Sequence, residues 1–249
     1  EPQASLDDSI RLVRDLLDTT RGKAVALTGA GMSTDSGIPD YRGPQGSYSL
    51  GHKPMTHDEF LSSERNRKRY WFRSTFGWTT FSQARPNAAH VALADLEATG
   101  RINGVITQNV DGLHQKAGSR NVVDMHGRND RVLCMSCGRE SSRDIYQGHL
   151  ASINAPFIAK HAPASARSGG AKEGDDPNVR LRADGDAEVE AGGHVQEFVV
   201  PDCSQCGGLL KKPTVVFFGD NIPRPRVEET YRMVDASDVL IAAGSSLQV

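Results

Sequence analysis

No stretch of this 249-residue chain approaches the ~18 consecutive apolar residues that a membrane helix needs, and no apolar signal core follows Glu1. Excess charge of either sign is also missing. Lys and Arg total 29 against 31 Asp and Glu, a formal net charge of -2, with no clustered basic patch. That balance gives no electrostatic reason to expect direct nucleic-acid binding or attraction to a membrane surface. Cysteine is scarce: there are four, and none is left over from the pairs Cys134/Cys137 and Cys203/Cys206. A disulfide framework suits a short chain with too little core, whereas 37% of these 249 residues are hydrophobic. Two Cys-x-x-Cys units match a tetrahedral zinc site much better.

What is present alternates. Residues 5–19 place Leu6, Ile10, Val13, Leu16 and Leu17 on one helical face, with Asp7 and Asp8 in the first turn, where negative charge is favourable. Short apolar runs of buried-strand type follow at Val25–Thr28, Val105–Thr107, Val215–Phe218 and Val239–Ala243, and helical patterns lie at His90–Leu96 and Val227–Val234. Strands alternating with helices predict an α/β fold with a doubly wound parallel sheet. Two stretches interrupt it. Residues 46–85, rich in Arg, Ser and aromatics, read as a helical insertion. Residues 131–212 carry both cysteine pairs, and within them 160–196 is rich in Gly, Ala, Asp and Glu. So little apolar surface is expected to leave that segment a mobile loop. The main domain is then expected from 1–45, 86–130 and 213–249. The sequence stops at Gly244-Ser245-Ser246-Leu247-Gln248-Val249, directly after a strand, and further strands and helices are expected beyond it.

Three segments carry chemistry. Gly29-Ala30-Gly31-Met32-Ser33 follows a strand, where glycines let a backbone approach a ligand and the N–H groups of the next turn can hold a pyrophosphate. The spacing departs from G-x-G-x-x-G, and a tight strand-to-helix turn would use the same residues. Thr34 to Gly43 follows, a loop in which Tyr41 offers a flat cover and Arg42 a fixed positive charge to a nucleotide. Thr107-Gln108-Asn109-Val110-Asp111-Gly112-Leu113-His114 leaves the next strand, and its amides and carboxylate suit ribose hydroxyls and a carboxamide. Strand C-terminal ends form the ligand crevice of such sheets. In Met125-His126-Gly127 the adjacent glycine leaves the imidazole accessible, and its near-neutral pKa suits a general base. His52, His57, His149 and His194 stand in polar stretches and are expected to face solvent, while His114 fits either setting.

Together these blocks resemble the sirtuins, the Sir2-type NAD-dependent protein deacylases. Gly29–Ser33 with Gly37–Arg42, Thr107–His114, Met125–Gly127, the two cysteine pairs, Val216–Asp220 and Gly244–Ser246 occur in the family's order. Tyr41, Arg69-Tyr70-Trp71, Asp130–Cys134 and Val215–Asp220 make class II, with its mitochondrial lipoamidase-type members, the nearest subclass. The resemblance implies a Rossmann-like domain with a small zinc-ribbon module. It also implies a reaction in which an acyl-lysine carbonyl oxygen attacks the nicotinamide-ribose carbon of NAD. His126 then deprotonates a ribose hydroxyl, which takes the acyl group, and the products are lysine, nicotinamide and O-acyl-ADP-ribose.

By the same resemblance Asn109 holds the ribose and a water, and Asp111 the carboxamide. Gly29, Ala30, Gly31, Gly244, Ser245 and Ser246 cradle phosphates, with Ser33, Thr34, Pro39, Asp40, Tyr41, Arg42 and Gln108 completing the NAD site. Val216, Phe217 and Gly219 pair with the substrate backbone. The zinc held by Cys134, Cys137, Cys203 and Cys206 is structural, since four thiolates leave no open position. Tyr70 and Arg73, at a helical i, i+3 spacing, suggest binding of an acidic acyl group. Partners are acyl-lysine proteins or peptides, the sequence leaves the oligomeric state open and compatible with a monomer, and the expected compartment is the mitochondrial matrix in a eukaryote and otherwise the cytoplasm. Mono-ADP-ribosyl transfer, or a non-catalytic NAD- and zinc-binding module, would use the same residues.

Overall fold

Strand β1 (Ala24–Thr28) is the centre of a four-stranded, all-parallel sheet. In the computed structural model, which describes residues 5–44, 46–161, 180–189 and 192–247, it pairs with β2 (Gly104–Thr107) on one side and with Val239–Ala243 on the other. The strand β3 (Val122–Asp124) lies outside β2. Alternate residues of β1 serve opposite faces, as the two-residue period requires. Ala24 and Ala26 join Leu17, Met32, Leu93, Ile102 and Val105 in one core cluster, and Val25 joins Ile106, Val123 and Met233 in another. The first cluster draws on helix α1 (Leu6–Thr20), and in the chain α2 (His57–Ser62) and α3 (Glu64–Gln83) come before it receives α4 (Ala88–Ala98); the short helix α5 (Leu113–Ala117) follows β2. With a core on each face, the sheet is doubly wound.

These parts form one of two compact units, made of residues 1–36, 85–125 and 222–249. The sequence marks Leu6, Ile10, Val13 and Leu16 as the buried face of α1, but all four are exposed, and only Leu17 and Thr20 of this helix are buried. Periodicity identifies an apolar face and not what covers it. Helix α1 stops where Arg21 and Gly22 turn left-handed, and a Cβ on Gly22 would sit 2.4 Å from the Gly100 carbonyl oxygen.

The second unit comprises residues 37–84 and 126–221, so the helical and cysteine-bearing stretches, read apart in the sequence, fold as one body. Its antiparallel sheet has β4 (Arg131–Cys134) between β5 (Glu140–Ser142) and β6 (Lys211–Pro213). Around it pack α3, α6 (Arg143–Ile153) and α7 (Ala155–His161). The core is aromatic. The Trp71 indole N–H donates to Lys211 O at 3.0 Å, and the wholly buried Arg143 guanidinium lies 5.3 and 5.0 Å from the Trp71 and Trp78 ring centroids. Burial lowers the Arg143 pKa to about 10, and Ser74 O and Gln147 Oε1 accept its N–H groups.

Two expectations change. Val215–Phe218 is not a ladder strand: Phe218 makes one isolated parallel bridge to Thr56, and the chain has already paired at Lys211–Pro213. Part of the expected mobile loop over 160–196, residues 162–179 and 190–191, lies outside the described residues. The remainder packs. Residues 180–189 turn back on themselves, with Arg182 N bonded to Asp186 O and Glu188 N to Arg180 O, both at 2.7 Å, and Asp186, Ala187 and Val189 are buried. A Cβ on Gly77 of α3 would approach Gly185 O to 2.1 Å, so the helix needs glycine there to receive this turn. Composition misses the segment because its few apolar residues point inward, with Arg182 and Asp186 buried beside them.

Candidate functional site

In the first unit, the C-terminal ends of β1, β2 and the edge strand Val239–Ala243 open side by side, with Thr28 in register with Thr107 and with Ala243. The loop after each strand holds its neighbour. Gly29 N donates to Ala243 O (3.1 Å), Gly31 N to Gly244 O (2.8 Å) and Gln108 N to Thr28 O (2.9 Å). The Gly29 and Gly31 positions sit against Gly244: a Cβ on Gly29 would reach Gly244 O at 2.8 Å, and one on Gly244, whose φ is +63°, would reach Met32 N at 2.2 Å. The immediate reason for glycine is therefore the approach of two backbones to each other, which brings the two loops together.

Behind this crevice runs a buried polar chain. Ser33 Oγ donates to Asp111 Oδ2 at 2.7 Å and accepts from Asn109 Nδ2 at 3.0 Å, and the same amide donates to Gly29 O at 3.1 Å. Both Asn109 side-chain donors point inward, to Gly29 O and Ser33 Oγ, and Oδ1 is its one acceptor atom. Asp111 Oδ1 accepts from Leu113 N at 2.8 Å. Ser245 Oγ donates to Gln108 Oε1 at 2.8 Å. Ser33, only 1% exposed, thus positions its neighbours. Ala30 is half-buried at the start of the 3-10 helix Ala30–Ser36, Thr34 is exposed and bonds Gly31 O, and Ser246 lies on the loop after Gly244.

Sequence reading overlooks the supporting layer. Thr28 Oγ1 lies 2.9 Å from both Thr107 Oγ1 and His114 Nε2, and the His114 and His90 rings pack at 4.8 Å. Burial lowers the His114 pKa to about 4, with His90 adding to the effect, and burial lowers His90 in the same direction. Both rings are therefore neutral at pH 7 and are structural. The available signal is a threonine ending two apolar runs. Asn87 also belongs here, since its side chain donates to Met32 O and Ser36 Oγ.

The other expected NAD-site residues, Pro39 to Arg42, belong to the second unit. Asp40 Oδ1 accepts from Gly43 N at 2.8 Å, Tyr41 and Tyr48 pack at 5.5 Å, and the Arg42 guanidinium lies 5.4 Å from the Tyr48 centroid. The Tyr41 hydroxyl is held protonated, chiefly by burial. His126 is half-buried before a left-handed Gly127 (φ +78°), and its carbonyl accepts from Val216 N at 2.7 Å. That bond places His126 beside the segment expected to meet substrate, in which Val215 and Phe217 are buried, Val216 is half-buried and Phe218 and Gly219 are exposed. His57 N donates to Phe218 O. His52 and His57, expected in solvent, instead meet the carboxylates of Glu188 and Asp220 at 2.6 and 3.0 Å.

Tyr70 and Arg73 both have partners within the second unit. Tyr70 is buried against Phe60, Trp71 and Phe217. Arg73 Nε donates to Ala187 O at 3.0 Å, and its charge opposes buried Asp186, whose carboxyl is pushed well up, chiefly by burial. Arg73 thus spends its Nε donor on its own chain's backbone at Ala187.

The four cysteines converge. Cys134 and Cys206 sulfurs stand 3.7 Å apart, those of Cys137 and Cys203 3.9 Å, and all four within 4.8 Å. Disulfides need about 2.05 Å, whereas zinc–sulfur bonds of about 2.3 Å in a tetrahedron put sulfurs about 3.8 Å apart. The set fits structural zinc. Both knuckles share one device, Cys-x-x-Cys-Gly: Gly138 N bonds Cys134 O and Gly207 N bonds Cys203 O, with φ of +73° and +69°. Backbone N–H groups of Gln205 and Cys206 lower the Cys203 thiol to about 6, favouring thiolate.

A parallel-sheet unit with a nucleotide-type crevice and a unit built on a tetrathiolate define an α/β nucleotide-binding protein with a zinc module. A match to the Sir2 family spans residues 29–249, and the chain belongs to that family. It is 46% identical to the NAD-dependent protein deacylase Sirt4 of Drosophila melanogaster, covering 98% of this chain and 72% of that protein. It is 44% identical to the NAD-dependent protein deacylase SRT2 of Arabidopsis thaliana, covering 98% of this chain and 64% of the relative. A Sir2 structure with a deacetylated p53 peptide and 3'-O-acetyl-ADP-ribose is similar at a TM-score of 0.68 and 32% identity, over 96% of this chain and 78% of that one. A Sir2 complex with p53 peptide and NAD+ has a TM-score of 0.65 and 31% identity, over 96% and 77%.

Proposed function

We propose that this chain is an NAD-dependent protein-lysine deacylase that moves the acyl group to ADP-ribose and releases nicotinamide. The observation that carries the reading is the glycine contact between the loops after β1 and Val239–Ala243, beside the Asn109–Ser33–Asp111 chain. Backbone can approach a pyrophosphate there, and Asn109 Oδ1 and the Asp111 carboxylate face groups that donate hydrogen bonds. Bound NAD supplies an electrophilic ribose carbon with nicotinamide as leaving group. His126 takes the proton of a ribose hydroxyl at an imidazole nitrogen, and Asn109 holds the ribose. Asp111 accepts from the carboxamide N–H2. Tyr41 covers the ligand and Arg42 supplies positive charge. The extended backbone around Val216, Phe217 and Gly219 receives the acyl-lysine peptide as an added strand.

A mitochondrial setting is proposed for a eukaryotic source and a cytoplasmic one for a bacterial source. Among the described residues, no helix is long and apolar enough to cross a membrane.

The test is acyl-peptide-dependent nicotinamide release with mass analysis of the products. O-acyl-ADP-ribose is expected from the parent chain, and His126→Ala should lower its formation by roughly 10²–10⁴-fold. O-acyl-ADP-ribose formation that survives this change removes His126 from the role of general base. A protein mass gain of one ADP-ribose, without O-acyl-ADP-ribose, points to mono-ADP-ribosyl transfer instead.

A further inference from the structure

Away from the cysteines, the second unit gathers a second set of metal-ligand side chains. His161 is the last residue of α7. His194 and Glu197 lie on the 3-10 helix Gly192–Glu197, where three residues per turn put i and i+3 on the same line of the surface. One ligand atom from each of the three falls within 4.8 Å of the others. The His161 and His194 rings stack at 4.5 Å with 29° between planes, His194 Nδ1 lies 2.8 Å from Glu197 Oε1, and His161 Nε2 is 4.0 Å from Glu197 Oε2.

Contacts that owe nothing to a metal hold this arrangement. The Phe157 ring packs on His161 at 4.7 Å. Val195 and Phe198 are buried, and Lys68 Nζ donates to Gln196 O at 2.9 Å, tying the 3-10 helix to α3. Just beyond it, Asn154 exchanges two hydrogen bonds with the Val199 backbone, at 2.7 and 2.8 Å, fixing it to the α6–α7 corner. His161 is mostly buried, while His194 and Glu197 are exposed enough to adjust their rotamers.

We propose that His161, His194 and Glu197 form a second divalent-metal site, distinct in ligands and role from the tetrathiolate. Two imidazoles and a carboxylate select a borderline ion of the zinc, cobalt or nickel type. Such ions bind nitrogen and oxygen at about 2.0–2.2 Å, with donors about 3.3–3.5 Å apart. Binding therefore opens the 2.8 Å His194–Glu197 contact, closes the 4.0 Å His161–Glu197 one and turns the exposed His194 ring out of its stack on His161. Three protein ligands leave a fourth position for water or an exogenous ligand, which makes this site exchangeable where the cysteine site is closed. Its occupant would join the end of α7 to the 3-10 helix across residues 162–193.

The probe is Zn(II), titrated calorimetrically at pH 7.5 into the full chain already carrying one zinc on its cysteines. A second equivalent per chain is expected, weakened at least ~10-fold by either His194→Ala or Glu197→Gln, both at exposed positions, and unchanged by His149→Ala. Co(II) added to the same zinc-loaded chain should give d–d absorption without thiolate charge-transfer bands. Stoichiometry that stays at one, a second equivalent that survives both variants, or one that His149→Ala removes would overturn the site. Thiolate bands from the added cobalt would overturn it too.

Discussion

Ser33 Oγ lies 2.7 Å from Asp111 Oδ2, a bond between the turn after β1 and the loop after β2 with both side chains buried. Asn109 completes it from the same loop, at 3.0 Å from the serine oxygen. The three polar groups fix the separation of two strand ends and decide which side-chain atoms stay turned inward. Ser33→Ala removes Asp111's hydroxyl donor and Asn109's acceptor together, and a buried polar group left without its partner costs about 1–3 kcal/mol. We expect that loss in urea unfolding, together with weaker NAD binding in calorimetry. Full NAD affinity in a destabilised Ser33→Ala chain would show that the bond serves the fold alone.

Gly244 offers a test of backbone approach. Its φ of +63° already disfavours alanine, and a Cβ would lie 2.2 Å from Met32 N. Gly37 has a comparable φ of +80°, but open space surrounds its Cβ position. Gly37→Ala should therefore carry only the left-handed penalty, about 1 kcal/mol, as for an ordinary residue in that region. Gly244→Ala adds displacement of the loop and should cost at least ~2 kcal/mol more, with loss of NAD binding. Thermal and urea unfolding of the two variants side by side decide it, and equal losses refute the contact.

The sheet and the zinc site were legible because their causes are local. Val25–Thr28 and Val105–Thr107 are buried runs at the right length, and a Cys-x-x-Cys pair states its chemistry by spacing. The reason for Gly29 and Gly31 was not, because Gly244 is more than two hundred positions away and the sequence carries no distance between loops. Arg73 shows the same limit: Tyr-x-x-Arg spacing indicates a shared helical face, but not that the Ala187 carbonyl, from a segment whose composition suggested no packing, takes the Arg73 Nε donor. For α1 the failure runs the other way, since Leu6, Ile10, Val13 and Leu16 share a face and remain exposed.

The Arg73–Ala187 bond has its own test. Arg73→Ala withdraws a guanidinium from Ala187 O and from buried Asp186, and the loss of a hydrogen bond to a charged donor is worth about 1.5–3 kcal/mol. Stability should fall by that order, with acetyl- and succinyl-peptide turnover affected alike. Selective loss of succinyl or glutaryl turnover would return Arg73 to the acyl site.

Buried His114 makes stability depend on pH. Its folded pKa, about 4, is depressed below an unfolded value near 6.5. Between those values the unfolded chain binds a proton that the folded chain does not, so stability falls as pH drops through the window and levels off below it. The slope from this residue approaches about 1.4 kcal/mol per pH unit, and His90, shifted the same way, steepens it. His114→Gln offers Thr28 a neutral polar partner and removes the titration. Urea midpoints at pH 7, 6 and 5 should flatten in the variant relative to the parent, and parallel curves would show that His114 titrates as it does in the unfolded chain.

Zinc removal tests the second unit. Cys134 and Cys203 are buried, their backbones held by the Gly138 and Gly207 turns, and the four sulfurs sit at tetrahedral spacing. Structural zinc contributes its binding free energy directly to folding. Either Cys134→Ser or Cys203→Ser should lose the tightly held zinc and unfold residues 37–84 and 126–221 at much lower denaturant. The Trp71 indole reports this, since it donates to Lys211 O on β6, so tryptophan fluorescence should shift when the zinc leaves. The His161–His194–Glu197 set predicts that a weaker, chelator-labile equivalent persists in these variants only while that unit stays folded. A cysteine variant that keeps one tightly bound zinc and the parent's unfolding midpoint would remove the thiolates from the structural role.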